Sequence, residues 1–223
     1  GGAPVYVIDG VISDAWGFNT LNPNDIESLS ILKDAASLAV YGSRAANGIV
    51  MVKTKQGGKG KTAVNYTFNA EFSQPTKLLK KTRGYDYAYN QMLAGINDGL
   101  DEADLPFNQE VLDIIKNQSD PYTSGHADTD WLGEGLKTVA PQYKHTVSLS
   151  GSGNKVNYYI SLGMLNQGSI YTSNALNYDR YTVRSNVNTT FDKIGLKVSL
   201  NLNGAYEKKE YPSFSAAKIW EDL

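Results

Sequence analysis

Val64-Asn65-Tyr66-Thr67-Phe68-Asn69-Ala70-Glu71-Phe72 alternates without a break. Val64, Tyr66, Phe68, Ala70 and Phe72 share one face, and Asn65, Thr67, Asn69 and Glu71 the other. Such period-two patterning is that of an extended strand with one apolar and one polar side. The run is about as long as a tilted membrane-crossing strand, whereas soluble sandwich strands usually stop at about five or six residues.

The same grammar continues downstream. Tyr143, His145, Val147 and Leu149 alternate with Lys144, Thr146, Ser148 and Ser150. After Gly151-Ser152-Gly153-Asn154 the pattern resumes with Val156, Tyr158, Ile160, Leu162 and Met164, which reads as a hairpin. Tyr181, Val183, Val187 and Phe191 oppose Arg180, Thr182, Arg184, Asn186, Asn188 and Thr190. A short Asp192-Lys193 turn then leads into Ile194, Leu196, Val198, Leu200, Leu202 and Tyr206. Strands are therefore predicted near 62–73, 142–151, 155–165, 178–191 and 194–207. Their connections alternate long and short, as in a barrel with tight periplasmic turns and long outer loops, and Phe72, Tyr143, Phe191 and Tyr206 near strand ends suit interfacial girdles. The long first loop carries predicted helices at 85–93 and 109–116, with Asp98, Asp101, Glu102 and Asp104 between them.

Upstream, Gly57-Gly58-Lys59-Gly60-Lys61 is a flexible connector by composition. Before it, residues 1–56 mix short strands with a small-residue helix. Val5–Ile8 is a β-type run ended by the turn pair Asp9-Gly10. Asn22-Pro23-Asn24-Asp25 supplies capping chemistry before a strand at 28–32. Asp34 caps an alanine-rich helix over 35–40 that ends near Gly42, and a strand follows at 49–52.

Composition removes several function classes. The 21 basic and 23 acidic residues are dispersed, leaving no basic face for nucleic acid. Without cysteine there is no disulfide framework or thiolate metal site, and two histidines, His126 and His145, do not make an imidazole site. No apolar run is long enough for a spanning helix, which says nothing against barrel strands. The opening Gly1-Gly2-Ala3-Pro4 has no signal-peptide character and reads as cut from a longer chain.

No catalytic or cofactor motif is complete. Gly57 to Thr62 ends like a phosphate-binding loop, but Lys55 stands where its first glycine belongs. Ser30-Ile31-Leu32-Lys33 matches a short nucleophile pattern without its companion motifs. The acidic run lacks the spacing and central glycine of an EF-hand loop and reads as a solvated loop, with Ca²⁺ held in another geometry as the alternative, so no cofactor is expected. Asp128, Asp130 and Trp131 are candidate loop contacts for a cation or substrate, against a default of a turn anchored by a packed tryptophan. No nucleophile, base and orienting group converge, and no enzyme is expected.

The stretch from Asn22 to Lys55, with Ser28-Leu-Ser-Ile-Leu-Lys-Asp34 and Tyr41-Gly-Ser-Arg-Ala-Ala-Asn-Gly48 at its centre, resembles the plug of SusC/RagA-family TonB-dependent transporters. Pro4-Val-Tyr-Val-Ile-Asp-Gly-Val11 resembles the strand and turn before it, and 128–131 and 147–165 resemble the early barrel. The resemblance implies an α+β plug domain segment (1–56), a linker (57–61), and antiparallel transmembrane strands of a partial 22-stranded barrel (62–223). It implies an outer-membrane importer of Bacteroidetes-like bacteria taking up an oligosaccharide or peptide. Its implied partners are a SusD-like surface lipoprotein, outer-membrane lipid, and TonB–ExbB–ExbD acting through an upstream segment. Asp9, Gly10, Lys33, Asp34, Tyr41, Gly42, Arg44, Asn47 and Gly48 are expected to fix plug turns and wall contacts, with Arg44 pairing lumen carboxylates, Glu71 or others on further strands; the alternative is that they serve the plug's own fold alone. The competing reading is a soluble β-rich carbohydrate- or protein-binding module.

Overall fold

The computed structural model describes residues 3–34, 38, 40–58, 60–78, 80–153, 155–173, 176–212 and 218. The chain separates into two compact units. The first comprises Gly1–Ser73, Ala140–Ser169 and Asn174–Tyr211, and contains two sheets.

In the smaller sheet, β1 (Val5–Ile8) and β2 (Val11–Ser13) form a hairpin. Asp9 and Gly10 both adopt positive φ, 50° and 88°, the primed turn whose twist suits a two-residue connection. Helix α1 (Ala15–Asn19) follows, its first turn capped by Asp14 Oδ1 accepting from Gly17 N at 2.8 Å. Asn22 then caps a 3-10 turn, Pro23–Asp25, which leads into β3 (Ile26–Leu32). β3 lies antiparallel to β4 (Ile49–Thr54), and β4 lies parallel to β1, giving the order β2-β1-β4-β3. Val7, Ala45 and Ile49 are wholly buried at the centre, with Val5, Leu32, Leu38 and Tyr41 packed around them. Most of the helix expected over 35–40 lies outside the described residues; a 3-10 segment, Gly42–Asn47, completes the return to β4.

The larger sheet is a meander of β5 (Ala63–Ser73), β6 (Ala140–Ser152), β7 (Val156–Gln167), β8 (Asn177–Phe191) and β9 (Leu196–Glu210), each antiparallel to the next. Register aligns the alternation across all five strands. Tyr66, Val147, Leu162 and Val183 form one outward row, and Thr67, Thr146, Gly163 and Thr182 the inward row beside it. The outward face is apolar and uncovered in this structure: Leu162 is 58% and Leu202 57% exposed. Phe68, His145, Met164, Tyr181 and Tyr206 share a level near the long connections, while Phe191 closes the turn end of β8. Tyr181 and Phe191 are ten residues apart on β8. At ~3.3 Å per residue and ~40° of tilt, that spans about 25 Å of membrane normal, the height of a barrel's apolar band.

Strand starts shift from expectation by at most two residues, and by two at β3, which begins at Ile26, and at β6 and β9. β6 begins at Ala140 and carries Pro141 opposite Phe72. β9 begins at Leu196 rather than at Ile194, because Ile194 N donates to Phe191 O at 3.1 Å and Gly195 turns at φ 65°.

The second unit comprises Gln74–Val139 with Ile170–Ser173 and Pro212–Leu223. Here α2 (Gly84–Asn97) and α3 (Gln109–Asn117) pack through Ala88, Leu112 and Ile115, and a short α4 (Trp131–Gly135) follows. Both longer helices extend past their predicted ends; Gln118, at φ 49°, terminates α3 in left-handed conformation.

Candidate functional site

Within the first unit, the small sheet meets the inward face of the large one through polar side chains. β8 presents Arg180, Arg184, Asn186 and Asn188 at even spacing, so all four point to one side. Arg180 NH1 donates to Asn19 O at 2.9 Å. Asn186 Nδ2 donates to Thr54 Oγ1 and to Lys55 O, both at 2.8 Å, and Asn188 Nδ2 to Gln56 Oε1 at 2.7 Å. From β6, Thr146 Oγ1 accepts from Asn22 Nδ2 at 3.1 Å and from Asn24 Nδ2 at 3.0 Å.

Arg184 is the centre of this contact. Its side chain is 4% exposed and lies between two carboxylates, with NH1 3.5 Å from Asp9 Oδ2 and Nε 3.7 Å from Asp25 Oδ2. One cation does not neutralise two anions, and each carboxylate has further donors. Thr54 gives Asp9 its backbone N–H (2.8 Å) and its hydroxyl (2.6 Å). Tyr159 donates its hydroxyl to Asp25 Oδ1 at 2.9 Å. Buried charge held this way is tolerable because each ion keeps both a counter-charge and hydrogen bonds.

Two glycines allow the close approach. A Cβ on Gly163 would lie 2.4 Å from Thr182 Oγ1 and 2.7 Å from Asn22 Nδ2, so its missing side chain makes room for Asn22. A Cβ on Gly57 would lie 2.2 Å from Tyr158 N, so the connector runs flush against β7. Elsewhere the sheets stand apart: a polar cleft of about 720 Å³ opens between Glu27, Lys53 and Lys55 on one side and Asn65, Thr67 and Ser148 on the other.

Of the residues singled out from sequence, Asp9 reaches the larger sheet. Gly10, Gly42 and Gly48 occupy positive-φ turns, and a Cβ on Gly48 would press on Leu32 O at 3.2 Å. Tyr41 packs on the small core, and Lys33, Asp34 and Asn47 are exposed. Arg44 is exposed and has no ion-pair partner among the described residues, while Glu71 Oε2 accepts from Gln142 Nε2 at 3.1 Å. The arginine between the sheets belongs to β8, and its carboxylates to the small sheet. Asn22, Asp25, Thr54, Tyr159 and Asn186 were not singled out; the even spacing of polar residues on β8 was the one available signal.

In the second unit, Arg83 Nε and NH2 grip Asp128 Oδ1 and Oδ2, each at 3.1 Å, and Gly84 N donates to Asp128 Oδ1 at 2.6 Å. The bond from Arg83 holds the Asp128 carboxyl below the usual carboxylate range, and the same bond raises Arg83. Asp130 Oδ1 accepts from Gly133 N at 3.2 Å, capping α4. Trp131, rather than packing as the turn's anchor, is 59% exposed.

Residues 1–49 match the TonB-dependent receptor plug domain. The TonB-dependent receptor SusC of Bacteroides thetaiotaomicron is 33% identical over 96% of this chain and 20% of its own length. The TonB-dependent receptor P26 of Formosa agariphila is 34% identical over 91% of this chain and 19% of its own. Among solved structures, the RagAB peptide transporter superposes with a TM-score of 0.72 at 28% identity, covering 94% of this chain and 25% of that one. The RagAB peptide importer in its closed-closed state gives 0.70 at 30% identity, over 95% and 25%. The chain is SusC/RagA-like, the plug and early barrel strands of a TonB-dependent receptor. It spans about a fifth of the length of the curated relatives it matches. Receptors of this kind are outer-membrane transporters and not enzymes. The smaller sheet is thus plug and the larger one barrel wall, unclosed across its five strands.

Proposed function

We propose that the chain serves TonB-dependent import of an oligosaccharide or peptide across the outer membrane, supplying the plug and the first wall strands. A SusD-like surface lipoprotein covers the barrel, and TonB–ExbB–ExbD acts through a segment upstream of the plug. The observation that carries this reading is the character of the plug–wall contact around Arg184. Discrete hydrogen bonds and ion pairs join the two sheets, beside an open polar cleft. Such bonds are worth about 1 kcal/mol net each, because water replaces them when they break. A plug seated by them is held in register and is still separable, which apolar packing of the same area would resist.

The test uses the full-length receptor. Asn22→Cys and Thr146→Cys, joined by a short bis-maleimide, tie plug to wall at a contact of 3.1 Å. Uptake of labelled oligosaccharides and peptides is expected to stop in the bridged receptor and in cells without TonB, and to persist in the unbridged double variant. Uptake indifferent to both the bridge and TonB would refute the reading.

A further inference from the structure

The connection from residue 74 to 139 contains six basic and eleven acidic residues. A cleft of about 660 Å³ within it nevertheless collects four of the basic residues, Lys80, Lys81, Arg83 and Lys137, and one acidic residue, Asp130. Charge has been sorted against the local composition. Its size falls in the ~300–1,000 Å³ range of small-ligand sites.

Several of these charges are already engaged. Arg83 is spent on Asp128, and that fork clips together the two segments lining the cleft, 74–83 and 129–138. Asp130 is turned to the backbone of α4. Lys80, Lys81 and Lys137 remain exposed, with no ion-pair partner among the described residues. Beside them Trp131 offers an indole more than half exposed. A large aromatic left open in a concave, cationic setting is contact area kept for a ligand with a flat apolar side and negative groups. Lysine suits anions spaced along a chain, being a mobile point charge rather than a planar fork.

We propose that this cleft binds an acidic oligosaccharide, Lys80, Lys81 and Lys137 meeting its carboxylate or sulfate groups and Trp131 the face of a sugar ring. The proposal rests on the importer reading and names its class of cargo. A peptide is the poorer fit. Extended peptides are recognised through main-chain pairing on a free strand edge, and apart from a single bridge at Leu136 the described lining is not strand. The Arg83–Asp128 fork sets the cleft's two walls beforehand, so little ordering is left to oppose binding.

The experiment measures binding calorimetrically on the full-length receptor in detergent, without TonB, so that it succeeds or fails separately from transport. The probes are an oligogalacturonate, a sulfated galactan oligomer, a neutral galactan oligomer of the same length, and an oligoglutamate peptide. At least one acidic glycan is expected to bind about tenfold or more tighter than the neutral one, weakening as salt rises. Lys81→Gln and Lys137→Gln are each expected to weaken it about threefold to fivefold, as for exposed ion pairs. Trp131→Ala is expected to weaken acidic and neutral glycans alike. Equal binding of acidic and neutral glycans, binding of oligoglutamate as tight as the glycans, or affinities untouched by the lysine and tryptophan changes would each overturn the proposal.

Discussion

Arg184 of the wall and Asp25 of the plug face each other 3.7 Å apart with side chains 4% and 3% exposed, across a sequence separation that no local signal bridges. Asp25 also holds the Tyr159 hydroxyl, so one plug carboxylate ties two wall strands. Removing the cation would strand both Asp25 and Asp9. Arg184→Ala in the full-length receptor should therefore loosen plug seating by about 3–5 kcal/mol, the cost of breaking a buried pair. Limited proteolysis of the plug should show it. Arg184→Lys should restore only part, since one ammonium does not reach two carboxylates as a guanidinium does.

Gly163 should not accept a methyl group. The added Cβ would collide with Thr182 and with the amide of Asn22. The expected loss is about 1–3 kcal/mol, from overpacking and a broken buried hydrogen bond. In a double-mutant cycle the effects of Gly163→Ala and Asn22→Ala should be strongly non-additive. Simple addition would mean that the two residues do not share a site.

A wall strand that faces lipid tolerates charge according to its depth. Ile160 lies midway along the outward face, paired with Leu149 and Ser185, whereas Tyr206 lies at the aromatic level. Arginine at Ile160 should cost about 2–4 kcal/mol in assembly into bilayers, and at Tyr206 about 0–1 kcal/mol. Equal tolerance at both, measured as the folded fraction in lipid, would contradict a lipid-facing wall.

Acid should open the base of the long β5–β6 connection. Asp128 is depressed by its bond to Arg83, so its contribution is present above the ordinary carboxylate pKa and fades as pH falls through the lower folded value. Hydrogen exchange at the Gly84 amide, which donates to Asp128, should accelerate relative to the α2 interior only at strongly acid pH. In Asp128→Asn that amide should already exchange quickly at neutral pH.

The strands were legible because alternation is their physical cause: Tyr66, Phe68, Val183 and Leu200 face outward as their parity requires. Ends were less so. Ile194 extends the alternation backward, but Gly195 turns the chain before the ladder begins. The plug–wall contact was hidden for a different reason. Asn22 and Asp25 stand in a capping sequence, and Asn22 does cap its turn through Asn24 N, so a sufficient local explanation masks a second role. Asp9 is similarly a turn residue that also meets Arg184. Placing a tryptophan inside was the natural default for Trp131, since nothing in Asp128-Thr-Asp-Trp131 signals that the indole stays open.

Gly57 lies against the backbone of Tyr158, and just before it Lys55 O and Gln56 Oε1 accept hydrogen bonds from Asn186 and Asn188 of β8, so the trailing end of the plug is fastened to the wall. β1 and β4 run parallel, Val5 beside Ile49 and Ile8 beside Val52, with further rungs from Val5 N to Gly48 O and from Asp9 N to Val52 O. The leading end of β1 and the fastened end of β4 therefore sit at opposite ends of one ladder. Tension between them loads all its rungs together in shear, rather than peeling them one after another. The central pair is a stiff spine in that direction, and the side-chain bonds at its flank, to Thr146, Arg184 and Asn186, are the seam that yields first.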